Sequence, residues 1–173
     1  MRHLINKKYA QGFTLVELII VIVILGIIAV VAAPRFLNIA SDAKVAVINN
    51  LAAQIESTIS LVRNKALVSG LRPIANNPGA QQSEFVVDFG FGSAEVDFRN
   101  LCPESIAEFS DRLRLADFIE ISGDDIQTRI DNQYTLIGFD IPATGTPTNQ
   151  GCYVIYNSFG NPKCTVTPVT VDC

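Results

Sequence analysis

Residues 12–34 read GFTLVELIIVIVILGIIAVVAAP. From Phe13 to Ala33 this is a run of 21 residues holding one charge, Glu17. A helix of about 20 apolar residues crosses a bilayer core. A carboxylate inside such a helix costs on the order of 2.5–3.5 kcal/mol at mid-membrane, so an intramembrane Glu reads as functional. Pro34 closes the run, and a basic head, MRHLINKKYAQ, precedes it. Arg2, Lys7 and Lys8 hold that head on the cytoplasmic side by the positive-inside rule.

A secretory signal places its small-residue cleavage site after the apolar stretch. Here the small residue, Gly12, comes first, so cutting there leaves the apolar helix on the mature chain. Gly12, Phe13, Thr14, Leu15 and Glu17, with Gly26 and Pro34 beyond, resemble the class III signal of type IV pilins and type II secretion pseudopilins. The resemblance implies a leader, residues 1–12, removed by a prepilin peptidase that cuts between Gly12 and Phe13 and methylates Phe13. It implies that Glu17 neutralises the N-terminal amine of a neighbouring subunit. It also implies that the stretch from Gly26 to Pro34 loses helical structure in a filament while staying helical in the free subunit. Ala32-Ala33-Pro34-Arg35-Phe36-Leu37-Asn38 is most similar to the mannose-sensitive haemagglutinin (MSHA) type. Phe-Gly-Phe-Gly at 89–92 departs from that type's Tyr-Gly-Tyr-Pro, with Gly92 in the Pro position.

Downstream of Pro34 the hydrophobicity becomes periodic. Phe36, Ala40, Ala43, Val47, Leu51, Ile55, Ile59, Val62 and Ala66 recur at steps of three or four, the stripe of a helix packed on one side. The pattern predicts an amphipathic helix over 35–70, stopped at Ser69-Gly70 with Pro73 beyond. A loop over 71–83 and a strand over 85–89, paired with 96–98, follow. Pro103 and Glu104 are expected to open a short helix carrying Ile106, Phe109 and Leu113 on one face. Residues 126–130 and 134–139 form a hairpin around Asp131-Asn132-Gln133. The last strands are 152–155 and 164–171. The fold class is α+β: a helix with an apolar half (13–34) and an amphipathic half (35–70), and an antiparallel sheet in a head over 71–173. The resemblance adds an αβ-loop between helix and sheet.

Composition narrows the chemistry. The one histidine, His3, lies in the leader. The mature chain therefore has no Ser-His-Asp or Cys-His arrangement and no His metal ligand, and neither an enzyme nor a cofactor is expected. Asp124-Asp125 after Gly123 reads as a solvated turn, with a bound calcium as the sharper alternative. Glu95 and Asp97 are the other candidate acid pair. From Arg72 onward the chain has six basic and fourteen acidic residues. Nucleic-acid affinity rests on Lys and Arg neutralising phosphates, so no nucleic-acid partner is expected.

Cys102, Cys152, Cys164 and Cys173 form no C-x-x-C motif and lie across the membrane from the basic head, where disulfides persist. Four cysteines allow three pairings. In a last hairpin that sets Tyr156 opposite about Cys164, Cys152 is offset by about 13 Å, beyond a bridge's reach of about 7 Å. Cys152–Cys173 with Cys102–Cys164 is therefore preferred.

These readings point to a structural subunit of a type IV pilus. It would be an inner-membrane precursor that becomes a helical homopolymer on the cell surface through an inner-membrane assembly machinery. Attachment, agglutination and biofilm formation are the implied uses. A pseudopilin of a type II secretion system is the alternative, and a DNA-uptake pilin is disfavoured by the charge.

Overall fold

The computed structural model describes residues 13–160 and 162–173. The chain forms two compact units, one ending at Ala40 and the other spanning Ser41–Cys173. Among the described residues, helix α1, Leu15–Val68, supplies all the regular structure of the first and opens the second. Thr14 and Glu17 start it as a T-x-x-E capping box. The Thr14 N–H and hydroxyl donate to Glu17 Oε2 at 2.9 and 2.7 Å, and the Glu17 N–H donates to Thr14 Oγ1 at 3.3 Å. At its other end Gly70 adopts φ +93°, and the Leu71 N–H reaches back to the Ala66 carbonyl. That is a left-handed stop for which a residue without Cβ is best suited.

In the second unit, β1 (Val86–Asp88) and β2 (Ser93–Glu95) make a small antiparallel ribbon. Strands β3 (Gln127–Ile130), β4 (Tyr134–Asp140), β5 (Cys152–Asn157) and β6 (Thr165–Val169) form an antiparallel sheet in chain order. β6 is an outer edge and carries Pro168. The architecture is α+β, a long N-terminal helix with antiparallel sheets.

Strand alternation sorts the sheet into two faces. Ile137, Val154 and Tyr156 pack with Ile48, Leu51, Ile55 and Ile59 of α1. Leu136, Tyr153 and Val169 form a second cluster with Tyr134, Ile141 and Ile155. Val62 and Ala66 meet Val87, Val96 and Leu101 under the ribbon. The β4–β5 register shifts between Gly138 and Asp140. A Cβ on Gly138 would lie 2.3 Å from the Cys152 carbonyl, so this bulge requires glycine.

Several expectations are corrected here. No helix forms over 103–114. The segment is irregular, and a 3-10 turn follows at Leu115–Phe118. The reason is tertiary: Glu104 is buried, and the Glu108 N–H donates to the Glu95 carboxylate rather than to a helical carbonyl. The segment 79–84 is a 3-10 helix rather than loop. β1 pairs with 93–95, and of the expected 96–98 Val96 alone joins the expected strand, donating its N–H to the Phe85 carbonyl. Among the described side chains the buried stripe of α1 begins at Ile48, with Ala40, Ala43 and Val47 exposed, and Phe36 of the expected stripe lies outside them. In the last hairpin Tyr156 faces Val166, two residues later than the expected Cys164.

Candidate functional site

The segment Leu15–Ala32 has a mean hydropathy of 3.3, and none of it is buried. Its length and composition suit a bilayer crossing. Phe13, Leu18, Ile22 and Leu25 are all exposed, so this helix buries nothing against its own chain. At about 25 cal/mol per Å² of apolar surface, such a helix is stable only where lipid or other protein replaces water. Glu17 sits at its start with its carboxylate already bonded to Thr14, which lowers the cost of carrying it into an apolar medium. Thr14 is the residue that the sequence reading left without a role. The T-x-x-E spacing was the available signal.

Phe13 precedes α1 and is exposed, whereas Gly12 and the rest of residues 1–12 lie outside the described residues. A Cβ at Gly26 would meet nothing within 4 Å. Helix α1 as assigned runs through positions 26–34, which include Gly26 and Pro34.

In the second unit Cys102 is joined to Cys164, and Cys152 to Cys173. The first bridge ties the loop after β2 to the start of β6. The Tyr156 hydroxyl donates to the Pro103 carbonyl beside it. The second bridge ties β5 to the residues beyond β6, where the Gly151 N–H donates to Asp172 Oδ2 at 2.7 Å.

Between these bridges and the ribbon lies a buried acidic cluster. Glu95 and Asp97 are fully buried, and Glu104 is 4% exposed. Asp97 pairs with Arg99 at 2.6 Å. The Arg99 guanidinium lies between the rings of Phe98 and Phe159, at 5.0 and 4.6 Å. Burial first, and then the charges of Glu95 and Asp97, push the Glu104 carboxyl up to about 8. Burial also raises Glu95, partly offset by the Glu108 N–H. Glu104 is therefore a neutral acid at neutral pH, a donor as well as an acceptor. Asp124 and Asp125 stand in an exposed turn. Among the described residues no group of three or more His, Cys, Asp or Glu is set to hold a metal ion.

Residues 7–33 match the prokaryotic N-terminal methylation motif. The chain is 40% identical over 76 residues to the type IV narrow pilus major component PilA5 of Thermus thermophilus. Its N-terminal region is thus similar to that of type IV pilins. That alignment covers 43% of this chain and 66% of the relative, a little under two thirds of the relative's length. No solved structure matches the chain. The apolar N-terminal helix and its cap lie within the matched residues. The mannose-sensitive subtype has no counterpart in these similarities.

Proposed function

We propose that this pilin-type chain is the structural subunit of a type IV pilus, stored in the inner membrane and polymerised into a surface filament. The observation that carries the reading is an apolar helix segment, Leu15–Ala32, with no residue buried, lying inside the match to the methylation motif. A prepilin peptidase cleaves between Gly12 and Phe13 and methylates Phe13, and an inner-membrane assembly machinery draws the subunit from lipid. In the filament, helices of neighbouring copies replace the lipid through head-to-tail contacts, which extend without closing. Glu17 takes the N-terminal amine of a neighbour, because an unpaired desolvated carboxylate is costly and a paired one rewards correct register. The stretch from Gly26 to Pro34 loses helix on assembly, aided by the low helix propensity of its two ends. The filament serves attachment, agglutination and biofilm formation, in the manner of the MSHA type.

The test is mass spectrometry of filaments sheared from the producing cell. The expected N-terminus is methylated Phe13. Filaments carrying intact Met1, or cells whose filaments lack this chain, would overturn the reading.

A further inference from the structure

We propose that residues 104–114 form a clasp, closed over the buried carboxyls of Glu95 and Glu104, that alkali releases while the sheet and both disulfides stay in place. The two ends of the segment are fixed. Before it, Cys102 is bridged to Cys164, and the Pro103 carbonyl accepts the Tyr156 hydroxyl. After it, Leu115 is fully buried in the apolar cluster that includes α1. Among the described residues, none between these points belongs to an apolar core cluster. Ile106, Glu108, Phe109 and Asp111 are exposed.

Polar contacts with β2 hold the segment instead. The Glu104 N–H donates to the Glu95 carbonyl at 3.0 Å, and the Leu113 N–H to the Ser93 carbonyl at 2.8 Å. The Glu108 N–H donates to Glu95 Oε2 at 2.6 Å. Of the buried side-chain polar atoms that lack a partner among the described residues, all but Thr135 Oγ1 lie here: Glu95 Oε1, Glu104 Oε1, Ser105 Oγ and Arg112 Nε. A buried polar group without a partner is destabilising, and water supplies the partner once the segment lifts. Fixed ends, few apolar contacts and unmet polar groups mark a segment that opens more easily than the whole head unfolds.

The charges around the carboxyl pair set the direction of the response. Glu95 comes from β2, Asp97 and Arg99 from the loop after it, Glu108 and Arg112 from the segment itself, and the Tyr156 hydroxyl from β5. Asp97 and Arg99 are paired at 2.6 Å. Burial raises Tyr156 well above its ordinary value, so its hydroxyl stays neutral. In the closed clasp burial first, and then the charges of Glu95, Asp97 and Glu108, push Glu104 up to about 8. Lifting the segment hydrates Glu104, and above its ordinary value of 4.5 its proton passes to solvent. Closure is therefore tightest at low pH. The opening equilibrium rises about tenfold per pH unit from near 4.5 to about 8, then levels off. Glu95, also raised by burial, acts in the same direction. Opening turns a face that shows Ile106 and Phe109 into one that carries the Glu95 and Glu104 carboxylates.

Hydrogen exchange of the detergent-solubilised full chain across this pH range, corrected for base catalysis of the exchange step, reads the opening. Protection at the Glu104, Glu108 and Leu113 amides should lie at least about tenfold below that of the β4 and β5 amides. It should fall about tenfold per pH unit up to about 8 and stay level above. Glu104→Gln keeps the shape of the neutral acid and cannot ionise, so it should remove most of that slope. Equal protection in the two sets of amides would mean that the segment opens only with the whole head. A flat profile would mean that no proton is linked to opening. Either result overturns the proposal, as does an unchanged slope in Glu104→Gln. The first two comparisons need no variant, and unpolymerised chains keep the outcome independent of the filament reading.

Discussion

The two halves of α1 are made of similar residues and meet different fates. Leu15–Ala32 has a mean hydropathy of 3.3 and no burial, whereas Ile39–Val68 has 1.3 and is one-third buried. Helix propensity does not separate them, since Leu, Ile, Val and Ala dominate both. What differs is the pattern. In the second half, polar residues such as Asn49, Glu56, Ser60 and Asn64 break the apolar surface into a stripe, and the head covers that stripe. In the first half the apolar surface goes all round, as befits a helix whose solvent is lipid or other helices.

The sharpest way to break this contrast is at Glu17, the one charge in the apolar half. Glu17→Ala should still be processed at Gly12 but should yield at most about a tenth of the normal filament, by quantitation of sheared pili, because an unpaired desolvated charge on the neighbour is strongly unfavourable. Glu17→Gln separates two roles. Gln can keep the local cap on Thr14 but not the charge, so if capping alone matters its filament yield should be near normal. Full assembly of both variants would argue against charge pairing.

The head can be loosened without touching the apolar half. Removing Cys102–Cys164, which closes a separation of 62 residues, should cost about 4 kcal/mol on the chain-entropy account. Removing Cys152–Cys173, a separation of 21, should cost about 3 kcal/mol. Denaturant titration followed by tyrosine fluorescence reads both. Equal costs would show that loop length is not what decides.

A third prediction uses pH. The folded value of Glu104 lies near 8 and its ordinary value is 4.5, so the native head holds a proton that the unfolded chain releases. Stability from this group is complete below about 4.5 and drains away as pH rises through 8. The head should lose a few kcal/mol, in order of magnitude, between pH 5 and pH 9. Glu104→Gln should flatten the profile, and an unchanged slope in that variant would assign the effect elsewhere.

The smallest effect is expected at Gly26. Its surroundings are open, so Gly26→Ala adds only helix propensity, about 1 kcal/mol. Hydrogen exchange of detergent-embedded subunits should show slower opening around residue 26. A filament whose extensibility is the same with and without the substitution would count against melting of the segment from Gly26 to Pro34.

Local chemistry was legible where it decides the structure. The Asp131-Asn132-Gln133 turn could be read because Asp131 Oδ1 accepts the N–H groups of Gln133 and Tyr134, an interaction contained in four residues. The period of α1 could be read because its burial repeats every turn. The segment 103–114 could not. Pro103-Glu104 looks like a helix opening, but Glu104 is drawn into a cluster with Glu95 and Asp97, and Glu95 takes the Glu108 N–H at 2.6 Å. Those partners lie on another element, and no local pattern announces them. The last hairpin shows the intermediate case. Both strands were evident, yet their register was off by two, because the turn from Ser158 onward is fixed by Asn100 Nδ2 donating to the Ser158 and Gly160 carbonyls, 58 and 60 residues away.

Pro168 on the outer edge of the sheet has a consequence for crowding. An edge strand is a ready template for pairing with any identical strand nearby, and a polymer brings many identical strands together. A proline has no N–H to offer, and sheets tolerate it where that missing donor faces outward. With Pro168 in β6, the ladder cannot be continued from one head to the next without a gap. In a filament of the proposed kind, Pro168 would keep the β6 edge of one head from extending the sheet of the next.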